Sequence, residues 1–256
     1  MDPATIIGIV LAFGAILASM LMEGTSPGAI LLPPALMLVF GGTLGAAMAG
    51  GILKDTIGLG AALKQAFLPR KSDPNALVEA MVKLAEKARR EGLLALEDAM
   101  KDVEDPFLKR GLQLAIDGTD SEELREILEG EIEAKRKADK ASAKIFADMG
   151  GFAPTIGIIG TVIDLVHVLE NLSQPETLGH LIAGAFVATL WGVMSANVLW
   201  LPLGNRIKRL SEVECSQMEL VIAGIINIQA GANPRLVAQK LRSLLPPGAA
   251  PKKEAA

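Results

Sequence analysis

Gly150-Gly151-Phe152-Ala153-Pro154-Thr155-Ile156-Gly157-Ile158-Ile159-Gly160-Thr161-Val162-Ile163-Asp164-Leu165-Val166 is the stretch whose character sets the fold. It is apolar, rich in glycine, and free of lysine and arginine. The last basic residue before it is Lys144, and none returns until Arg206. Crossing ~30 Å of hydrocarbon takes about 20 apolar residues in a helix. The segment 151–171 meets that requirement, and so does 180–202 after a short link.

The same pattern stands at the start of the chain. No lysine or arginine precedes Lys54, and the acidic groups there are Asp2 and Glu23. Apolar segments at 4–22 and 31–51 complete a set of four predicted spans. All 25 lysines and arginines of the 256 residues lie between Lys54 and Lys144 or from Arg206 onward. The short links around Met22–Ala29 and Glu170–Gly179 carry none. Positive charge stays on the cytoplasmic side, so both links are expected outside and both chain ends inside. The beginning Met1-Asp2-Pro3 lacks the basic region of a signal peptide, so the first segment is expected to be retained.

The expected fold is an all-α membrane protein with four transmembrane helices. A helical cytoplasmic domain lies between the second and third, and the last two helices extend into the cytoplasm. By residues, 1–53 hold the first two spans and 54–149 the cytoplasmic domain. Spans three and four occupy 150–205, cytoplasmic helices 206–245, and a disordered Pro/Ala/Lys-rich tail 246–256. Helix starts are marked by Ser72-Asp73-Pro74, Asp105-Pro106, Asp120 with Glu123, and Asn233-Pro234. Leu77, Met81, Leu84, Ala85 and Ala88 recur at helical spacing, as do Leu124, Ile127, Leu128 and Ile132. Gly92 should interrupt the first run, and the helix carrying the second should continue almost directly into the third span.

Glycine and alanine crowd the spans: Gly41, Gly42, Gly45 and Ala46 in the second, Gly157 and Gly160 in the third. Gly184, Ala188, Gly192 and Ala196 follow at spacings of four in the fourth. Small residues let helix backbones approach in lipid, so an oligomer or partner complex is expected beyond internal packing. Pro154 and Pro202 each free a backbone carbonyl and permit a kink, although Pro202 also fits a plain helix end. Thr161 and Thr189 either bond their own helix at the i−4 carbonyl or face a polar path. Asp164 is an ionisable group within a span, and such groups are functional by default. His167, three residues on, shares its face. The two either pair, line a wet path, or sit hydrated at the outer boundary.

Other classes lack support. A net charge of −4 gives no nucleic-acid signal. The sequence contains no phosphate-cradling glycine loop, no HExxH, no nucleophile elbow, and only two histidines, so neither enzyme chemistry nor a cofactor or metal is expected. The single Cys215 reads as a bystander thiol.

The sequence resembles the MotA branch of the MotA/TolQ/ExbB proton channel family, the flagellar stator subunits. The resemblance is densest in 151–162, in Ala185-Phe186-Val187-Ala188-Thr189-Leu190-Trp191-Gly192, in Pro202–Lys208, and in Ala88-Arg89-Arg90-Glu91-Gly92-Leu93-Leu94-Ala95-Leu96-Glu97. It implies a ring of chains, a pentamer, around two copies of a MotB-like subunit that supplies the ion-carrying aspartate. Ion flow would turn the ring in the bacterial inner membrane, and its cytoplasmic domain would push the rotor protein FliG. By motif match Arg89, Arg90 and Glu97 are rotor contacts, Pro154 and Pro202 torque-linked prolines, and Thr161 and Thr189 pore-side threonines. Sodium-type, PomA-like relatives tend to carry two consecutive threonines where this sequence has Ala188-Thr189, which favours protons as the transported ion. Asp164 departs from the family's usual small residue and is expected at the outer mouth of the ion path. A TolQ/ExbB-like energiser of a periplasmic partner is the nearest alternative. The two spans before Lys54 and the block from Arg89 to Glu97 argue against it. A scaffold or transporter without a motor partner is the other, though the sequence shows no repeat between its halves.

Overall fold

The computed structural model describes residues 4–68 and 73–245. The expected tail at 246–256, the first three residues and Ser72 of the predicted cap lie outside them. Helix is the only regular secondary structure among the described residues, which contain no strand. The described residues form two compact units, one from 4–68 together with 138–210, the other from 73–137 and 211–245.

The first unit begins with α1 (Ala4–Met22), which has no buried residue. A turn at Gly24 (φ +76°) and a single helical turn at Pro27–Ile30 lead to α2 (Pro33–Ala49). The Leu32 backbone is extended because proline crowds the residue before it, which fixes the start of α2. Gly50 and Gly51 end it, and Ile52 is extended again. The predicted span 31–51 is therefore a 17-residue helix in this structure. Among the described residues three helices are long and apolar enough to cross a membrane, namely α1, α8 (Ser121–Glu170) and α9 (Glu176–Gln229). Between α2 and the second unit lie α3 (Leu53–Ile57) and α4 (Leu59–Phe67). Ala62 and Ala66 of α4 are buried against Ala143, Phe146, Leu203 and Ile207.

The second unit contains α5 (Pro74–Glu91), α6 (Leu96–Ala99), α7 (Pro106–Ile116), the first turns of α8, the last of α9, and α10 (Pro234–Ser243). The predicted starts hold: Asp73, Asp105, Asp120 and Asn233 each accept a backbone N–H from the first turn, at 2.8 to 3.0 Å. Such caps contribute about 1 kcal/mol each. Gly92 ends α5 at φ +86°, a conformation a side chain would strain. Most of the periodic residues enter the core: Met81, Leu84, Ala85, Leu124, Leu128 and Ile132, joined by Val78, meet Leu108, Leu112, Ile225, Val237 and Leu241, with Leu77 and Ala88 at its edge. Ile127 does not, and is exposed. Truncating a buried leucine such as Leu112 would cost about 2–5 kcal/mol. Ion pairs Lys135–Glu214 (2.6 Å) and Arg136–Glu219 (3.0 Å) link α8 to α9 here.

As expected, α8 runs from the charged region into the apolar one without a break, through Pro154. The helix also continues through Pro202. A π-helical turn at Ala196–Trp200 precedes it, and this wider turn accommodates a ring that would otherwise press on the i−4 carbonyl. A second π-helical turn occupies Met37–Gly41 of α2.

Candidate functional site

The site is built where α8 and α9 touch through glycine. A Cβ at Gly157 would stand 2.8 Å from the Ala188 carbonyl oxygen and 3.1 Å from Thr189 Cα. A Cβ at Gly192 would stand 2.6 Å from the Ala153 oxygen. At this separation hydroxyls reach across to the facing backbone. Thr161 Oγ1 lies 2.8 Å from the Ala185 carbonyl oxygen and 3.3 Å from that of Gly157 on its own helix. It also hydrogen-bonds Thr189 Oγ1. Each hydroxyl has one proton. The assignment that uses the shorter contacts has Thr161 donating to Ala185 and Thr189 donating to Thr161; the other acceptor within reach of Thr189, the Gly157 carbonyl oxygen, lies at 3.5 Å. Thr189 then keeps its acceptor lone pairs, on a half-buried side chain.

The structure brings Thr161, Thr189 and Ala188 together, in different roles. Ala188 is buried against Gly160, whose Cβ position would lie 2.7 Å from the Ala188 methyl, with Leu38 of the α2 π-turn on the other side at 2.9 Å. Asp164 lies one turn beyond Thr161, half-buried, with no hydrogen bond or ion pair among the described residues. It does not pair with His167. That imidazole approaches Glu170 (3.8 Å), and Asn171 donates to the His167 carbonyl (2.8 Å).

Pro154 and Pro202 are half-buried within α8 and α9. Pro202, Asn197 and Val198 line a groove of about 420 Å³ with Ala4, Thr5, Gly8, Ile9 and Ala12 of α1. Tryptophans brace the same region. Trp191 Nε1 donates to the Ile30 carbonyl (2.7 Å), and Phe40 stacks at an angle on both Trp191 (5.7 Å) and Trp200 (5.9 Å). The sequence pattern singled out neither tryptophan. Aromatic residues make up only 4% of the chain, so three converging on one contact was a signal to be had.

Arg89, Arg90 and Glu97 belong to the second unit. The two arginines occupy the last turn of α5, where positive charge suits the helix dipole. Glu97 begins α6 just beyond Gly92. All three are exposed and form no ion pair among the described residues, and Leu94 between them is 72% exposed. The neighbouring Asp98 and Lys101 do pair (2.8 Å). That hydrogen bond and the attraction of the charges hold the Asp98 carboxyl below its usual range and the Lys101 ammonium above its own.

Residues 6–92 match the Motility protein A N-terminal family, and residues 99–220 match the MotA/TolQ/ExbB proton channel family. Motility protein A of Bacillus subtilis is 38% identical over 96% of this chain and 92% of its own. Motility protein A of Borreliella burgdorferi is 33% identical over 96% and 95%. Among solved structures, the C. jejuni MotAB structure superposes with a TM-score of 0.92 at 30% identity, covering 97% of each chain. The flagellar MotAB stator complex from Bacillus subtilis gives 0.88 at 38% identity, over 94% and 95%. With this kinship running end to end, the chain belongs to the Motility protein A family.

Proposed function

We propose that this protein is a stator subunit of the bacterial flagellar motor that passes protons together with a MotB-like partner and pushes the rotor protein FliG. The observation that carries the reading is the α8–α9 contact, where Thr161 and Thr189 hydroxyls converge between glycines in two long apolar helices. It occurs in a chain whose relatives along nearly the whole length are Motility protein A. The partner supplies the aspartate that carries the ion. Thr189, Thr161 and Asp164 border the path, with Asp164 at its outer mouth. The burial of Ala188 against Gly160 leaves one hydroxyl of a possible consecutive pair, which favours protons over sodium. Pro154 and Pro202 transmit the resulting helix movement.

In the same reading α2 is a fourth span. Its 17 residues lie at the lower edge of what crosses a bilayer, and the preceding turn at Pro27–Ile30 extends its reach. The chain then sits in the inner membrane with both ends in the cytoplasm, and five copies surround two partners. The unpaired Arg89, Arg90 and Glu97 form the rotor-contact surface. The match of residues 6–92 to the Motility protein A N-terminal family supports a stator over a TolQ-like energiser.

The test is expression with the partner from the neighbouring reading frame in cells lacking their own stator. Tethered cells should rotate and should slow when the proton gradient collapses. Arg89→Glu with Arg90→Glu should abolish rotation while the complex still assembles in the membrane. Rotation that follows the sodium gradient would overturn the ion assignment. Assembly without rotation by the unaltered chain would overturn the motor reading.

A further inference from the structure

The segment from Ile52 to Leu68 has an exposed apolar side that the site above does not use. Ile52, Leu53, Ile57 and Leu68 are each more than half exposed. Lys54 and Lys64 stand beside them, exposed and without an ion pair among the described residues. The sequence adds Arg70 and Lys71, against a single carboxylate, Asp55.

The level of this segment is fixed by its seat. Ala62 and Ala66 of α4 pack on Ala143 and Phe146 of α8 and on Leu203 and Ile207 of α9. Ala143 and Phe146 flank Lys144, the last cation before the apolar part of α8; Leu203 and Ile207 flank Arg206, the first cation after that of α9. Both helices therefore exchange charge for hydrocarbon at the height where α4 is seated. At that level α4 carries Lys64, while Leu53 and Ile57 share a face of α3 just before it and Leu68 follows its end; exposed apolar groups beside lysine fit the boundary between headgroups and acyl chains.

We propose that Ile52–Leu68 is a binding element for anionic lipid. Leu53, Ile57 and Leu68 enter the acyl boundary of the cytoplasmic leaflet, while Lys54 and Lys64 hold headgroup phosphates by extending past them. The proposal rests on the membrane orientation given above. Lysine beside an apolar surface distinguishes this occupant from a purely apolar protein face.

The experiment uses the full chain with its partner in nanodiscs of phosphatidylcholine, with or without phosphatidylglycerol. Leu53→Cys and Ile57→Cys, in a Cys215→Ser background, carry nitroxides. Their access to oxygen and to a water-soluble nickel chelate is compared with labels at Leu11 in α1 and Glu126 in α8. Phosphatidylglycerol retained by the complex is read by native mass spectrometry. Expected are oxygen-favoured labels at both sites and retention lowered about fivefold for each lysine replaced in Lys54→Gln and Lys64→Gln. Labels at 53 and 57 as open to nickel as that at Glu126, or retention unchanged by both replacements, would overturn the proposal. So would shielding that persists in lipid-depleted detergent, which would indicate a protein on this face. If the Leu11 label is also nickel-accessible, the membrane orientation itself has failed; if Leu11 is in lipid and Leu53 is not, only this inference has.

Discussion

Replacing Gly192 with alanine should loosen the α8–α9 contact by a calculable amount. The added methyl would lie 2.6 Å from the Ala153 oxygen and 3.0 Å from Gly157 Cα, both backbone atoms. Restoring ordinary van der Waals distance requires the helices to part locally by about 0.8 Å. The 2.8 Å bond from Thr161 to the Ala185 carbonyl would then stretch beyond hydrogen-bond range. Overpacking of this kind costs roughly 1–3 kcal/mol and an interhelical hydrogen bond in lipid roughly 0.6 kcal/mol. Alanine's better helix propensity returns up to about 1 kcal/mol, leaving a net loss of at least roughly 0.6–2.6 kcal/mol. The control is Gly151→Ala on α8, where nothing lies within 4 Å of the new methyl. There the propensity gain should stand alone. The assay is thermal unfolding of the purified chain in one detergent, followed by the fluorescence of Trp191 and Trp200. At about 2–4 °C per kcal/mol, Gly192→Ala should melt several degrees below the parent and Gly151→Ala at or above it. Equal melting of the two variants would refute the argument that backbone contact at Gly192 holds these helices together.

Three further outcomes follow from the geometry. Thr161→Val removes the donor to Ala185 and the acceptor of Thr189, so it should lower the melting temperature; Thr189→Val should spare the fold yet slow rotation. Equal melting with unchanged rotation in both would break the proposed proton assignment of the hydroxyl pair. Asp164→Gly should reduce ion-driven speed, and swimming speed unaltered across external pH would remove Asp164 from the mouth of the path. The Asp98 carboxyl is held low chiefly by its hydrogen bond to Lys101. Its contribution to folding is therefore present above the ordinary value near ~3.9 and lost as pH falls through the lowered folded value. Carboxyl NMR titration should show Asp98 rising toward the ordinary value in Lys101→Ala, and no change would refute the cause.

Much of this was legible residue by residue. Asp73, Asp105 and Asn233 announced helix starts because a cap and a proline act within one turn. Met81, Leu84 and Leu128 announced the core of the second unit because helical spacing is a local property. The glycines of α8 and α9 announced close packing, and the hydroxyl contact between Thr161 and Thr189 depends on them. Pro202 was legible only as an alternative between a kink and a plain helix end, although the fourth helix was expected to extend past it; the π-turn that carries it there has no signature of its own. The partner of His167 was not legible, since Asp164 and Glu170 stand at equal spacing to either side and only the rotamers choose between them. The seat of α4 is also non-local. Ala62 and Ala66 are unremarkable until Phe146 and Ile207 arrive from far along the chain.

The π-turn at Ala196–Trp200 has a consequence for how α9 can vary. A five-residue turn holds about one residue more than the 3.6 of a regular helix. The wider turn absorbs that surplus, because five residues on a π-turn advance around the axis about as far as four on an α-helix. Leu203 and Ile207 therefore keep the aim toward Ala62, Ala66 and Phe146 that a regular helix one residue shorter would give them. Deleting one residue of the turn should let it relax to a regular helix with that aim preserved, whereas deleting one residue between Leu203 and Ile207 would swing Ile207 by about 100° around the axis and away from its partners. In this stretch α9 can change its residue count by one without rephasing its inner end.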